Sequence, residues 1–127
     1  MRNLLVLLTA FLLTNSLVKA EVLSFSTGYA ECTKIPLLVL VYADWANGAN
    51  ETLQLFKSIQ VEFGDKYNYT ELNIASNDAK AFNDKFHIYP KLPYILMYRD
   101  GGKVSRYIPR ECASNYACIS SKIKSFN

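Results

Sequence analysis

Leu37-Leu38-Val39-Leu40-Val41-Tyr42, then Ala43-Asp44-Trp45-Ala46-Asn47-Gly48-Ala49, is the stretch on which the fold turns. Six apolar, partly β-branched residues in a row leave no polar face, so the run predicts a central strand buried on both sides. Asp44 to Ala49 breaks it. Leu53, Phe56, Gln60 and Phe63 then recur at helical spacing, three of them apolar, which predicts a helix from near Asn50 to Phe63. Gly64-Asp65 ends that helix.

Upstream, Val22 to Phe25 reads as a short first strand, and Ser26 or Thr27 as the cap of a short helix running to about Lys34. Downstream, Tyr69 to Ile74 alternates as a strand does, and Asp78 to Phe86 is a short helix with Phe82 and Phe86 on one face. His87 to Pro93 is a loop with two prolines. Tyr94 to Tyr98 is a second buried strand, Asp100-Gly101-Gly102 a hairpin turn, and Val104 to Ile108 an antiparallel return. A last helix spans about Ser114 to Phe126 on a stripe of Tyr116, Ile119, Ile123 and Phe126. The order β-α-β-α-β-α-β-β-α predicts an α/β three-layer sandwich, a central mixed sheet with helices on both faces.

Composition narrows the function. The chain has 127 residues, half of them hydrophobic and 13% aromatic, enough for one packed domain and against disorder. Arg2, the apolar run Leu4 to Leu13 and Val18-Lys19-Ala20 make residues 1–20 a secretory signal, leaving residues 21–127 as the domain. The rival is an uncleaved anchor, but the run is short for a bilayer, which takes about 20 apolar residues. No stable membrane insertion is expected after cleavage. The expected location is oxidising: the endoplasmic reticulum lumen or outside the cell, or the periplasm if the cell is bacterial. Arg2 and Lys19 fall in the leader, so 12 basic residues face 11 acidic ones in the remainder. With no run of like charge, nucleic-acid binding is disfavoured. One histidine, His87, and three cysteines in no zinc spacing give no metal site, and nothing points to a cofactor.

At this point the chain resembles the thioredoxin superfamily. The strand, then Ala43-Asp44-Trp45, then four residues opening a long helix, is similar to that family's active-site neighbourhood. Phe86-His87-Ile88, then Leu92-Pro93, then Tyr94 to Gly101, resembles its conserved-proline loop and hairpin. The resemblance covers residues 21–126. It implies Cys-x-x-Cys at the helix start, where the helix end stabilises the first thiolate and the second sulfur resolves the mixed disulfide. Those four positions are Ala46-Asn47-Gly48-Ala49, and both sulfurs are absent. Leu40 stands where the family's buried acid would align. A methyl group can neither attack a disulfide nor be oxidised.

What the resemblance leaves is a recognition surface. Trp45 stands beside the vestigial site, as a partner-facing or a core aromatic. Leu92-Pro93 matches the dipeptide whose proline is cis in the family, with the residue before it presenting its backbone to an extended peptide. Trp45, Leu92 and Pro93 are therefore the expected peptide-binding residues. Tyr107-Ile108-Pro109-Arg110 resembles the Tyr-x-Gly-x-Arg stretch of disulfide-isomerase domains, one residue short and with Pro for Gly. Arg110 faces the vestigial site or, as the favoured reading, is a solvated surface side chain.

Cys112 and Cys118 are expected to form a bridge; the rival is a new redox pair. Cys32 is expected on the first helix, unable to reach Cys118 in such a fold, and so either buried and free or available to a partner chain. Asn50-Glu51-Thr52 and Asn68-Tyr69-Thr70 are glycosylation sequons. A glycan at Asn50 would crowd the old site, so Asn68 is the safer acceptor. The leading expectation is a redox-inactive protein that binds unfolded or client polypeptides, similar to non-catalytic disulfide-isomerase domains and to Windbeutel-type escort proteins. The alternatives are an oxidoreductase using Cys112 and Cys118, and a secreted interaction protein keeping the fold as a scaffold.

Overall fold

A computed structural model describes residues 22–126; the expected leader, residues 1–20, lies outside them. The described elements run, in order, α1 (Phe25–Ala30), β1 (Leu37–Tyr42), α2 (Ala49–Phe63), β2 (Asn68–Asn73), α3 (Asn77–Lys85), β3 (Tyr94–Arg99), β4 (Val104–Ile108), α4 (Arg110–Ala113) and α5 (Tyr116–Lys124). Single turns of 3₁₀ helix, Gly64–Lys66 and Asp100–Gly102, follow α2 and join β3 to β4. No helix of the described residues is long and apolar enough to cross a membrane.

The sheet order is β2-β1-β3-β4. β1 lies parallel to β2, with Val39 opposite Thr70. It lies antiparallel to β3, with Val39 opposite Leu96, and β4 returns antiparallel to β3. The two apolar runs are therefore the two inner strands. Side chains alternate across a strand, so each run feeds both faces. Leu38, Leu40, Ile95 and Met97 meet Phe56 and Ile59 of α2 and Ile119 and Ile123 of α5. Leu37, Val39, Val41 and Leu96 meet Phe25 of α1 and Phe82 of α3 on the other face. That gives the expected mixed sheet with helices on both faces.

The differences from the sequence reading have local causes. Val22 makes only a single parallel bridge to Tyr69, because Ser24 already caps α1. Its hydroxyl accepts the Thr27 N–H at 3.2 Å, and the Phe25 N–H donates to Asp78 at 2.8 Å. Phe25 is thereby held edge-on to Phe82, their ring centres 5.0 Å apart. α1 ends at Ala30, so Cys32 sits in the following turn rather than on the helix. On α2 the buried stripe includes Thr52 and Ile59; Gln60 lies at its flank and donates to Glu71 at 3.0 Å. The expected last helix is α5, two residues shorter at each end, and the short α4 before it was not expected. Asn115 sets the start of α5 by capping it, its side-chain oxygen accepting the Cys118 N–H at 2.9 Å.

Candidate functional site

The loop between β1 and α2 is built from consecutive turns. The Ala46 N–H donates to the Ala43 carbonyl at 3.1 Å, and the Ala49 N–H to the Ala46 carbonyl at 3.2 Å. Ala43 and Ala49 are buried, which anchors both ends of the loop and pushes Trp45 outward. Trp45 is 75% exposed. Asp44 beside it accepts a hydrogen bond from Asn73 at 3.2 Å. Gly48 caps α2 at φ 79°, a left-handed conformation that glycine takes without strain, and no side chain caps that end. Ala49 thus opens a 15-residue helix and Ala46 lies in the turn just before it, at a helix end where a thiolate would be favoured, but both carry only methyl groups. Leu40 is fully buried in the core with Phe56, so no carboxylate stands at that position.

Opposite Trp45 runs the segment 90–93. The Leu92–Pro93 bond is cis. Leu92 is 5% exposed, and its N–H is already engaged, donating to the Pro90 carbonyl at 3.1 Å. Between the two walls lies a groove of about 350 Å³, lined by Trp45, Ala46, Asn47, Pro90–Leu92 and Arg110. Three of the five positions Trp45–Ala49, together with Leu92, thus gather in one place, with three exceptions. Pro93 is buried and does not line the groove, and Gly48 and the buried Ala49 lie outside it. Arg110, favoured as a surface residue, is exposed and also borders the groove.

Sequence reasoning missed Tyr89 and Tyr107. They are 42% and 41% exposed, with ring centres 5.2 Å apart, and both contact Tyr94, whose hydroxyl accepts the Tyr89 N–H at 3.1 Å. Burial pushes the Tyr94 and Tyr107 phenols up from their ordinary values. Eighteen residues separate Tyr89 from Tyr107, so no local pattern joins them; the one signal is an aromatic beside the proline of the 87–93 loop.

Cys112 on α4 and Cys118 on α5 are paired, their Cα atoms 5.3 Å apart, within reach of a disulfide. Cys32 is free and buried in the core of the opposite face, and burial, the largest influence, raises its thiol above its ordinary value. His87 stacks edge-on with Tyr89 at 5.7 Å. Among the described residues no three His, Cys, Asp or Glu side chains gather as a metal site would need. The sequons reverse their expected order in accessibility. Asn50 is exposed on the first turn of α2, whereas the Asn68 amide nitrogen and the Thr70 hydroxyl are buried.

No protein-family model matches the chain, and no curated protein sequence matches it. Solved structures do. The chain is similar to Fasciola hepatica thioredoxin, with a TM-score of 0.59 and 14% identity, covering 76% of this chain and 86% of that one. It is similar also to the structure of a malarial protein, with a TM-score of 0.58 and 15% identity, covering 73% of this chain and 98% of that one. At such identities the likeness lies in the fold, and the described residues adopt the thioredoxin-like fold.

Proposed function

We propose that this chain is a redox-inactive, thioredoxin-like protein of the secretory pathway that binds unfolded or client polypeptides. The observation that carries the proposal is the groove between an exposed Trp45 and the 90–92 segment, on a helix end that holds Ala46 and Ala49 in place of sulfurs. An exposed indole gives an apolar face and a polar edge to whatever lies against it, which is why Trp is enriched in binding sites. Pro90 and a buried leucine order little on binding, so the entropy cost falls mainly on the guest chain. Thiol exchange at this site has no nucleophile and no buried acid to move a proton.

Cys112 and Cys118 are read here as a staple rather than a reaction centre. Cys112 is 7% exposed, within the core beneath α4, so a substrate disulfide has poor access to it. The bridge would hold α4, and with it Arg110 at the groove's rim, against α5. A thiol–disulfide exchange assay on reduced and oxidised full chain separates the two roles: the staple predicts no turnover. A titration with a permanently unfolded, carboxymethylated polypeptide tests the binding role. Trp45, the only tryptophan, should report a saturable fluorescence change. Absence of any change would refute binding at this groove.

A further inference from the structure

The groove at Trp45 is one part of a longer trough. A second hollow, about 380 Å³, is lined by the contacting Tyr89 and Tyr107 and shares Pro90 and Lys91 with the first. A third, about 320 Å³, shares both tyrosines with the second and continues over β3 and β4 to Phe86 and Arg106. The three therefore lie side by side along one face. Their floor is aromatic and their only charged side chains are cations: Lys91, Arg110 and Arg106. Arg106 is already engaged, donating to Ser125 at 2.7 Å and lying over the Phe126 ring. Lys91 and Arg110 take part in none of the ion pairs found among the described residues, which join Lys57 to Glu71, Arg99 to Asp100 and Lys124 to Glu62. The acidic neighbours stand outside: Asp44 is bonded to Asn73, and Glu111 acts on the Tyr107 phenol without lining a hollow.

We propose that the trough takes an extended polypeptide segment in which acidic residues flank an aromatic or other large apolar side chain. The carboxylates pair with Lys91 and Arg110, and the apolar side chain packs in the hollow against the joined Tyr89 and Tyr107 rings. The proposal rests on the polypeptide-binding reading above and names the class of client. Charge complementarity selects the occupant: two unpaired cations beside an aromatic floor attract a carboxylate-bearing chain and repel a basic one. A nucleic-acid strand is disfavoured, because tracking a phosphate backbone takes a longer run of free cations than two.

The experiment uses the folded full chain and fluorescein-labelled decapeptides read by anisotropy. One peptide carries Asp and Glu around a central Trp or Phe. A second replaces the acids by Lys, a third replaces the aromatic by Ser, and a fourth is apolar and uncharged. The acidic aromatic peptide should bind at least tenfold tighter than its basic twin at low salt, with the gap narrowing in 0.5 M NaCl. Lys91→Glu combined with Arg110→Glu should reverse the order. Tyr107→Ala should erase the difference between the first and third peptides while keeping the preference for acid. All three residues are substantially or wholly at the surface, and circular dichroism checks that each variant is folded.

Equal affinity for acidic and basic peptides would overturn the proposal, as would displacement of the acidic peptide by a ten-base oligodeoxythymidine at lower concentration than the unlabelled peptide. If the uncharged peptide still binds and perturbs Trp45 in that case, polypeptide binding survives and only the charge selection fails. If no peptide binds, both fail.

Discussion

Trp45 and the two alanines after it carry most of the functional meaning. Trp45 touches little, so Trp45→Ala should leave stability within about 0.5 kcal/mol by urea denaturation. The same substitution should weaken binding of unfolded chains at least tenfold. A large loss of stability would show that the indole is a structural residue. Ala46 and Ala49 flank an uncapped helix end whose backbone still favours negative charge. The double variant Ala46→Cys with Ala49→Cys should therefore yield a first thiol that titrates below the ordinary value of about 8.5, followed by thiolate absorbance at 240 nm. A thiol at or above that value would mean that the site has lost more than its sulfurs. Cys32 behaves oppositely: buried, with its thiol raised, it should resist a thiol reagent until the protein unfolds.

Two devices act between elements. Glu62 on α2 holds α5: Tyr116 and Ser120 donate to its carboxylate, and Lys124 lies 3.6 Å away. The Tyr116 hydrogen bond, the largest influence, lowers the Glu62 carboxyl below its usual value. A lowered folded value means that the contribution is fully present above the unfolded value of about 4.3 and is lost as pH falls through the folded one. Glu62→Gln should flatten this part of the acid-unfolding curve while changing the neutral-pH curve less. An unchanged acid profile would remove Glu62 from the account. The second is the proposed Cys112–Cys118 staple, its Cα atoms 5.3 Å apart across α4 and α5. Denatured, unreduced protein should show one reactive thiol per chain and reduced protein three; Cys112→Ser with Cys118→Ser should cost about 2 kcal/mol, the loop-entropy value for so short a ring. The short α4 shows where sequence periodicity falls short. Ile119, Ile123 and Phe126 announce the buried face of α5, but the four residues of α4 are too few to show a period, and the boundary between the two is a side-chain cap at Asn115 competing with the backbone, which an apolar stripe does not record. The same competition at Ser24 replaces the expected first strand by an early helix start.

Across the whole molecule, Leu37 to Tyr42 and Tyr94 to Tyr98 were enough to place the two inner strands, because a run with no polar side has to be covered on both faces. The cores that cover them are separate and each is needed. Phe82 sits fully buried against Phe25 and Phe86, and Phe82→Ala should cost about 3–5 kcal/mol, read from urea or thermal unfolding. That is a large share of the stability typical of such a domain. The candidate site was legible in part for the same reason: Trp45 to Ala49 and Leu92 are tied to sequence landmarks, the strand end and the proline. Tyr89 and Tyr107 come together only when β4 folds back beside β3, and the trough they widen is a property of the tertiary structure. The central claim is that this surface holds polypeptide without exchanging sulfur. The most direct test is titration of the full chain with carboxymethylated, unfolded polypeptide, reading Trp45 fluorescence. A saturable change is expected; a flat signal across the titration would contradict polypeptide binding at this surface.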